Sequence, residues 1–387
     1  MSVRSIAQRV HRWAGIAIAA FIFMAGLTGA AIAFFDESDA WLNRRDLQVF
    51  PEASPLGIEP LVALVESRYP QAKVRSVYVG EEPDEAWVFN LRVKDKGAQA
   101  IDQIFVDPYK GIIRAERRVE GVGLDAKQLM PTLLLLHRSV LLGDFGKTLM
   151  GVVALLWLLS SPIGVALAWP ASGNWRPVFS VKWDARPVRR QFELHRVIGL
   201  VSSLVMLVMS LSAVYLAFPE GFRAVVRSVS PAVEVKPRAA ASTQGAGPAT
   251  PEQAMRAAVL QYPGAVARGI VFKPDQGLYE VRVRLEGDIN LHKGTGRVVV
   301  DKRTGRIVST QSFRQSDGAG DTFVAWMFPL HSGQAFGTPG RLIIACMGLV
   351  AAFMSFSGVR LWWLRRQALK RGRAQAAALK GRPPTAA

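Results

Sequence analysis

Four of the five histidines in this chain recur at matching places in its two halves. His11-Arg12-Trp13-Ala14-Gly15 returns as His195-Arg196-Val197-Ile198-Gly199, and Leu136-His137 returns as Leu330-His331. Each of the four stands just before a long apolar run. A single imidazole there could be satisfied by headgroups or a backbone carbonyl. Four at two matched depths are a chemical signal, because ionisable groups at membrane depth are costly and tend to be functional. A span of about 20 residues separates its ends by about 30 Å. His11 therefore cannot share a ligand with His137 or His331, and the natural pairs are His11 with His195 and His137 with His331. Two imidazoles facing each other across a helical bundle suit b-type haem, whose iron takes axial ligands from opposite sides. Zinc or copper would want three or four side-chain ligands, and no acidic or cysteine cluster supplies the missing ones. The one cysteine, Cys346, excludes an intramolecular disulfide, a CxxC redox pair and covalent haem attachment through CxxCH.

Residues around the histidines carry weaker signals. Arg12, Arg196, Arg138, Lys147 and Arg341 could pair with haem propionates; the plainer alternative is topogenic or snorkelling charge. Gly15 and Gly199 would let a flat macrocycle approach the backbone, or would serve helix packing. Met206 and Met209 read as packing. His292 has no counterpart in the first half and reads as a surface histidine, the alternative being a contact with substrate.

The elements that must position these groups are membrane spans. Half of the residues are apolar, and the net charge of +18 is scattered among apolar runs. That pattern argues for a lipid bilayer and against nucleic acid, since cytoplasmic loops collect Lys and Arg. Trp13 to Phe35, Thr148 to Pro170, Val197 to Pro219 and Leu342 to Val359 lack charge over roughly the 20 residues a spanning helix needs. The first reads as an uncleaved signal anchor, its apolar core being too long for a signal peptide. The loop with Arg176, Lys182, Arg186, Arg189 and Arg190 and the tail with Arg365, Arg366, Lys370, Arg371 and Arg373 belong on the cytoplasmic side. Both termini are then cytoplasmic and the long segments lie outside. Trp13, Trp41, Trp169, Trp326, Trp362 and Trp363 fit an interfacial belt.

Matches in the same order, at offsets of 184 to 194 positions, make this a tandem duplication. Tyr69-Pro70 and Tyr262-Pro263 each close an amphipathic helix. Alternating runs follow, Ala86–Val93 and Ile101–Val106 against Leu278–Leu285 and Arg297–Val300, which read as strands. The turn Asp107-Pro108-Tyr109-Lys110-Gly111 matches Asp301-Lys302-Arg303-Thr304-Gly305, with Gly at a positive-φ position. The expected fold class is membrane α-helical plus α+β, with each outside domain a helix on a small antiparallel sheet. The N-terminus and first helix occupy 1–35, the first outside domain 36–130, and a Leu-His segment with the second helix 131–170. A basic loop covers 171–194, the third helix 195–219, and the second outside domain 220–325, with a flexible lead-in at 236–250. The second Leu-His segment and fourth helix take 326–364, and a basic tail 365–387.

These motifs resemble the PepSY-associated transmembrane family of bacterial inner-membrane proteins over nearly the whole chain. The H-R-x-x-G helix openers, the Y-P and D-x-x-x-G marks of a PepSY domain and the paired L-H carry the resemblance. Within the family the chain looks most like the FoxB-type ferric-siderophore reductases. That implies four transmembrane helices, two periplasmic PepSY-like domains and two haem b with axial ligands His11, His137, His195 and His331. The implied activity carries electrons outward across the inner membrane to the iron of a periplasmic ferric siderophore. Hard oxygen donors hold Fe(III) far more tightly than Fe(II), so one-electron reduction releases the metal and no acid or base residue is needed. No GxGxxG follows a strand, so electrons must come from a cytoplasmic protein, a small reductant or the quinol pool. Two other classes stay open: a non-enzymatic PepSY regulator tethered to the membrane, and a transporter of the siderophore or its iron. The transporter reading lacks a broken helix or intramembrane charge for a midplane site.

Overall fold

The computed structural model describes residues 2–52, 54–93, 101–170, 173–230, 247–312 and 318–380. Its helices, in chain order, are α1 (Val3–Ile32), α2 (Phe35–Leu42), α3 (Arg44–Leu47), α4 (Ile58–Arg68), α5 (Ala126–Ser139), α6 (Gly143–Ala168), α7 (Pro187–Ala217), α8 (Pro219–Val229), α9 (Pro251–Gln261), α10 (Ala319–Ser332) and α11 (Gly337–Lys380). The strands β1 (Ala72–Tyr78), β2 (Trp87–Val93), β3 (Gln103–Asp107) and β4 (Ile112–Arg117) fall in the first half. The second half holds β5 (Val266–Lys273), β6 (Leu278–Arg284), β7 (Gly296–Asp301) and β8 (Ile307–Gln311). Two compact units result: Met1–Ala30, His137–Ala217 and Ile344–Ala387 form one, and Ala31–Leu136 with Phe218–Ile343 form the other.

The first unit is helical. Among the described residues four helices, α1, α6, α7 and α11, are long and apolar enough to cross a membrane. Their ends differ from the apolar stretches of the sequence. Helix α1 begins at Val3 rather than Trp13, α7 at Pro187 rather than Val197, and α11 runs on to Lys380. Hydropathy marks the part of a helix that suits lipid, whereas arginines at its ends keep good helix propensity and extend it. His11 and His195 consequently sit inside helices rather than at their first turns. Where α1 and α11 cross, small residues bring the backbones together. A Cβ added to Gly26 would stand 2.4 Å from the Gly348 carbonyl oxygen, and one added to Gly348 would stand 2.6 Å from that of Gly26. Ala30 and Ala352 complete a small-xxx-small stripe on each helix.

The second unit is a sheet with helices. Among the described residues its strands form one antiparallel sheet in the order β4-β3-β2-β1-β5-β6-β7-β8. The sequence reading treats the two outside segments as separate domains; here they share a sheet, joined where β1 pairs β5 through Ser76–Val271, Val77–Ile270 and Tyr78–Gly269. Gly269 is needed there, because a Cβ would stand 2.6 Å from the Val77 carbonyl oxygen. The core is common as well. Ile58, Leu61 and Val65 of α4, with Ala254 and Ala258 of α9, pack on Val77, Phe89, Ile104, Ile270, Val281 and Val298 of the sheet. The expected turns form: Asp107 Oδ1 accepts from the amides of Tyr109 and Lys110, and Asp301 Oδ1 from those of Arg303 and Thr304. Gly111 and Gly305 close them at φ of 64° and 68°. The lead-in at 236–250 lies, as far as residue 246, outside the described residues.

Helix α2 is fixed to this unit by charge. The Arg117 guanidinium on β4 donates to both carboxylate oxygens of Asp39, at 2.8 and 2.9 Å, and both side chains are buried. Burial pushes the Asp39 carboxyl above its ordinary range despite the hydrogen bond and charge of Arg117. Arg341 clasps Glu37 with two hydrogen bonds and reaches the Ala33 carbonyl. His292 is half-buried rather than a plain surface residue. Its Nε2 lies 3.3 Å from Asp36 and its Nδ1 3.3 Å from Glu81, which also meets Arg268 at 2.8 Å and Arg284 at 3.7 Å.

This cluster predicts a pH dependence. The hydrogen bond to Glu81 holds His292 above the ordinary imidazole range, against the burial that lowers it. Burial pushes Glu81 up, but its bond to His292 and the charges of Arg268 and Arg284 leave it below its usual value. A raised folded-state pKa adds stability that is complete below the unfolded value of about 6.5 and lost as pH rises through the folded one. The Glu81 contribution is present above its unfolded pKa and lost in acid. Unfolding of the full chain in detergent, followed from pH 5 to 9, should show stability falling as His292 deprotonates. His292→Gln should flatten that slope; an unchanged slope would contradict the pairing.

Candidate functional site

Helices α1 and α7 bring the imidazoles of His11 and His195 together edge to face, with ring centroids 6.5 Å apart and planes at 66°. A neighbouring helix holds each ring through Nδ1. His11 Nδ1 lies 2.9 Å from Ser160 Oγ and 3.1 Å from the Ser160 carbonyl oxygen, both on α6. His195 Nδ1 lies 2.7 Å from Ser357 Oγ on α11, and that hydroxyl donates its own proton to the Met354 carbonyl. With that proton given to Met354, Ser357 Oγ is left to accept, which favours the His195 tautomer protonated on Nδ1; the carbonyl beside His11 favours the same tautomer. Among the described residues no hydrogen bond ties up Nε2 of either ring. Both Nε2 nitrogens are thus open to a ligand.

Glycines make room for this arrangement. A Cβ on Gly164 would stand 2.8 Å from His11 Cε1, and one on Gly358 would stand 3.4 Å from His195 Cε1. One turn past His11, a Cβ on Gly15 would meet nothing within 4 Å. Farther along, the bundle closes over Ile18, Ile22, Val153, Met206 and Ala351. Met206 is thus part of the core, as the sequence implied.

The geometry constrains the chemistry. Two imidazoles bound to one metal ion through bonds of about 2 Å put their ring centres roughly 6 Å apart, close to the spacing here. Among the described residues no group of three or more His, Cys, Asp or Glu is placed to hold a metal ion. A bare ion would have two protein ligands here, whereas a metallomacrocycle brings its own equatorial nitrogens and needs just two axial ones. The residues present therefore fit haem better than a naked cation.

His137 stands at a different level. In the last turn of α5, its Nδ1 lies 2.9 Å from the Ala25 carbonyl oxygen and 3.3 Å from Thr28 Oγ1, and Gly29 clears its Cε1. At 1.5 Å per residue the turn from Ala25 to Gly29 lies roughly 21–27 Å along α1 from His11. One ion cannot reach both. His331 lies in the last turn of α10, in the sheet unit. The cations divide. Arg196 donates to the Pro177 and Ser180 carbonyls, Arg341 is held by Glu37, and Arg12 lies 5.3 Å over the Trp13 ring. Arg138 and Lys147 are exposed.

Sequence reasoning missed Ser160, Ser357, Thr28 and the glycines opposite the imidazoles. The available signal was faint: a small polar residue within each apolar run that follows a Leu-His pair.

A family model described as the PepSY-associated TM region matches residues 8–365, from just before His11 to just beyond the last apolar run. No curated protein matches the chain.

The close crossing that positions α1 can be tested by steric load. Gly26→Leu forces a side chain into the Gly348 backbone and should cost about 1–3 kcal/mol, as overpacking does. Gly15→Ala, which meets open space, should leave stability unchanged or slightly higher, since Ala is the better helix former. Chemical unfolding in detergent reads both. Equal losses would contradict the packing described.

Proposed function

The chain belongs to the family of the PepSY-associated TM region, and on that premise we propose that it is a dihaem inner-membrane reductase for ferric siderophores. The chain is a multi-pass membrane protein of four apolar helices. In this reading it took shape by tandem duplication, both termini are cytoplasmic and the sheet unit lies in the periplasm. The observation that carries the proposal is the His11–His195 pair, 6.5 Å apart with both Nδ1 atoms occupied.

His11 and His195 would hold one haem b at the cytoplasmic level. Sequence equivalence assigns His137 and His331 to a second haem at the outer level. Haem supplies reversible one-electron exchange when bound, a chemistry that belongs to the cofactor. The residues of the chain do the rest. Ser160 and Ser357 fix which nitrogen faces the iron, Gly164 and Gly358 leave space for the rings, and the apolar core beyond them keeps water out. The reductant is a quinol, a small reductant or a reduced cytoplasmic protein, and the substrate is Fe(III) held by hard oxygen donors outside. One electron converts it to Fe(II), which those donors hold weakly.

Oriented vesicles test the direction of flow. A donor is supplied on the cytoplasmic side, a ferric siderophore outside, and a chelator traps Fe(II). His11→Ala and His195→Ala should bring Fe(II) release to background while leaving haem in the outer site. His137→Ala and His331→Ala should also stop release, but leave haem in the inner site still reducible by the donor. Release at the wild-type rate in all four variants would overturn the proposal, and wild-type protein free of haem would favour a regulator.

A further inference from the structure

We infer that Ser160 and Ser357 are positioning residues for the haem ligands, and that they act unequally. The inference rests on the haem reading of the paired histidines, but its observations are its own. His11 Nδ1 has two acceptors within reach, the hydroxyl and the carbonyl oxygen of Ser160. His195 Nδ1 has one among the described residues, Ser357 Oγ, whose own proton is already spent on the Met354 carbonyl. A side-chain change at 160 leaves the backbone carbonyl in place, so the His11 ring keeps its tautomer and direction. A change at 357 to a residue with no hydroxyl strips His195 Nδ1 of its acceptor in a part-buried, apolar setting. An unpaired N–H there is costly, and the ring can relieve the cost by turning, which moves Nε2 from its present position, or by changing tautomer, which puts the proton on Nε2 and removes the lone pair that would hold the haem.

The difference also bears on ligand strength. An imidazole that donates its second N–H becomes a more basic ligand, and loss of such a partner typically lowers metal affinity 10–100-fold. A carbonyl is the better acceptor of the two kinds here, so His11 is the firmly held ligand and His195 the adjustable one. Ser357 then sets how tightly the inner haem is gripped and at what potential it titrates.

The test uses the full chain in detergent, with the wild type, Ser160→Ala, Ser357→Ala and Ser357→Thr. Haem transfer to an apoprotein scavenger reads affinity, a redox titration reads the potential, and low-spin EPR reads the axial geometry. Ser357→Ala should lose the inner haem about 10–100-fold more readily than wild type, and what remains should show a shifted potential and altered low-spin signal. Ser160→Ala should change these far less, and Ser357→Thr, which keeps the hydroxyl, should behave as wild type. If Ser357→Ala does not accumulate, Ser357→Cys, similar in shape with a weak acceptor, should show the same direction of change. Wild-type behaviour of Ser357→Ala or Ser357→Cys, or equal losses on replacing Ser160 and Ser357 by Ala, would overturn the inference while leaving the haem reading intact. A wild-type protein that binds no haem would instead overturn the reading beneath it.

Discussion

Each imidazole of the His11–His195 pair is held by a hydrogen bond from Nδ1 to a serine on the neighbouring helix. Without those bonds, two ionisable rings in an apolar bundle would either seek water at the membrane surface or satisfy each other through a proton. Occupying both Nδ1 atoms orients the rings and leaves the two Nε2 atoms as the open positions. The helices have to be arranged around that need: α6 must present Ser160 to α1, α11 must present Ser357 to α7, and glycines must stand beside the rings. The close approach of Gly26 and Gly348 sets α1 against α11 at the same time. The haem proposed for this pair would ask of the chain two nitrogen ligands and an apolar enclosure.

The sheet unit obeys a different constraint, that of edges. Two four-stranded sheets would together leave four edge strands open, which invites wrong pairing. Joining β1 to β5 removes two of those edges and lets α4 and α9 share one core. Helix α2, which follows α1 almost directly, is tied to this unit by the buried Asp39–Arg117 pair and by Arg341 on Glu37. Buried pairs of this sort contribute little net stability against an apolar replacement, but breaking one partner away is costly. Their effect is to define a single seat for α2.

Short-range chemistry was legible in the sequence. The Asx turns ending at Gly111 and Gly305, the helix stops at Tyr69-Pro70 and Tyr262-Pro263, the strands rich in Val and Ile and the four apolar helices all follow from local pattern. So did the association of His11 with His195, because repeat-equivalent residues at one depth have few other places to meet. The β1–β5 junction was not legible. Which edge pairs with which is a non-local choice, and both strands carry irregularities, between Val74 and Ser76 and between Ala267 and Gly269, that blur the alternation. The helical state of the Leu-His segments was hidden by Pro131 and Pro329 inside them. Ser160 and Ser357 were invisible for another reason: a lone serine in an apolar run usually bonds its own helix backbone, and a neighbouring imidazole alone reveals the difference.

The central claim, that paired histidines hold haem b, meets its most direct measurement in an absorption spectrum. Protein purified in detergent is recorded oxidised and then reduced, and haem is extracted with acidified solvent to count it per chain. The account predicts a Soret band, reduced α and β bands of low-spin bis-imidazole haem b, non-covalent release, and two haems per chain. A chain that folds normally and shows no Soret band after haem is supplied during expression would contradict it.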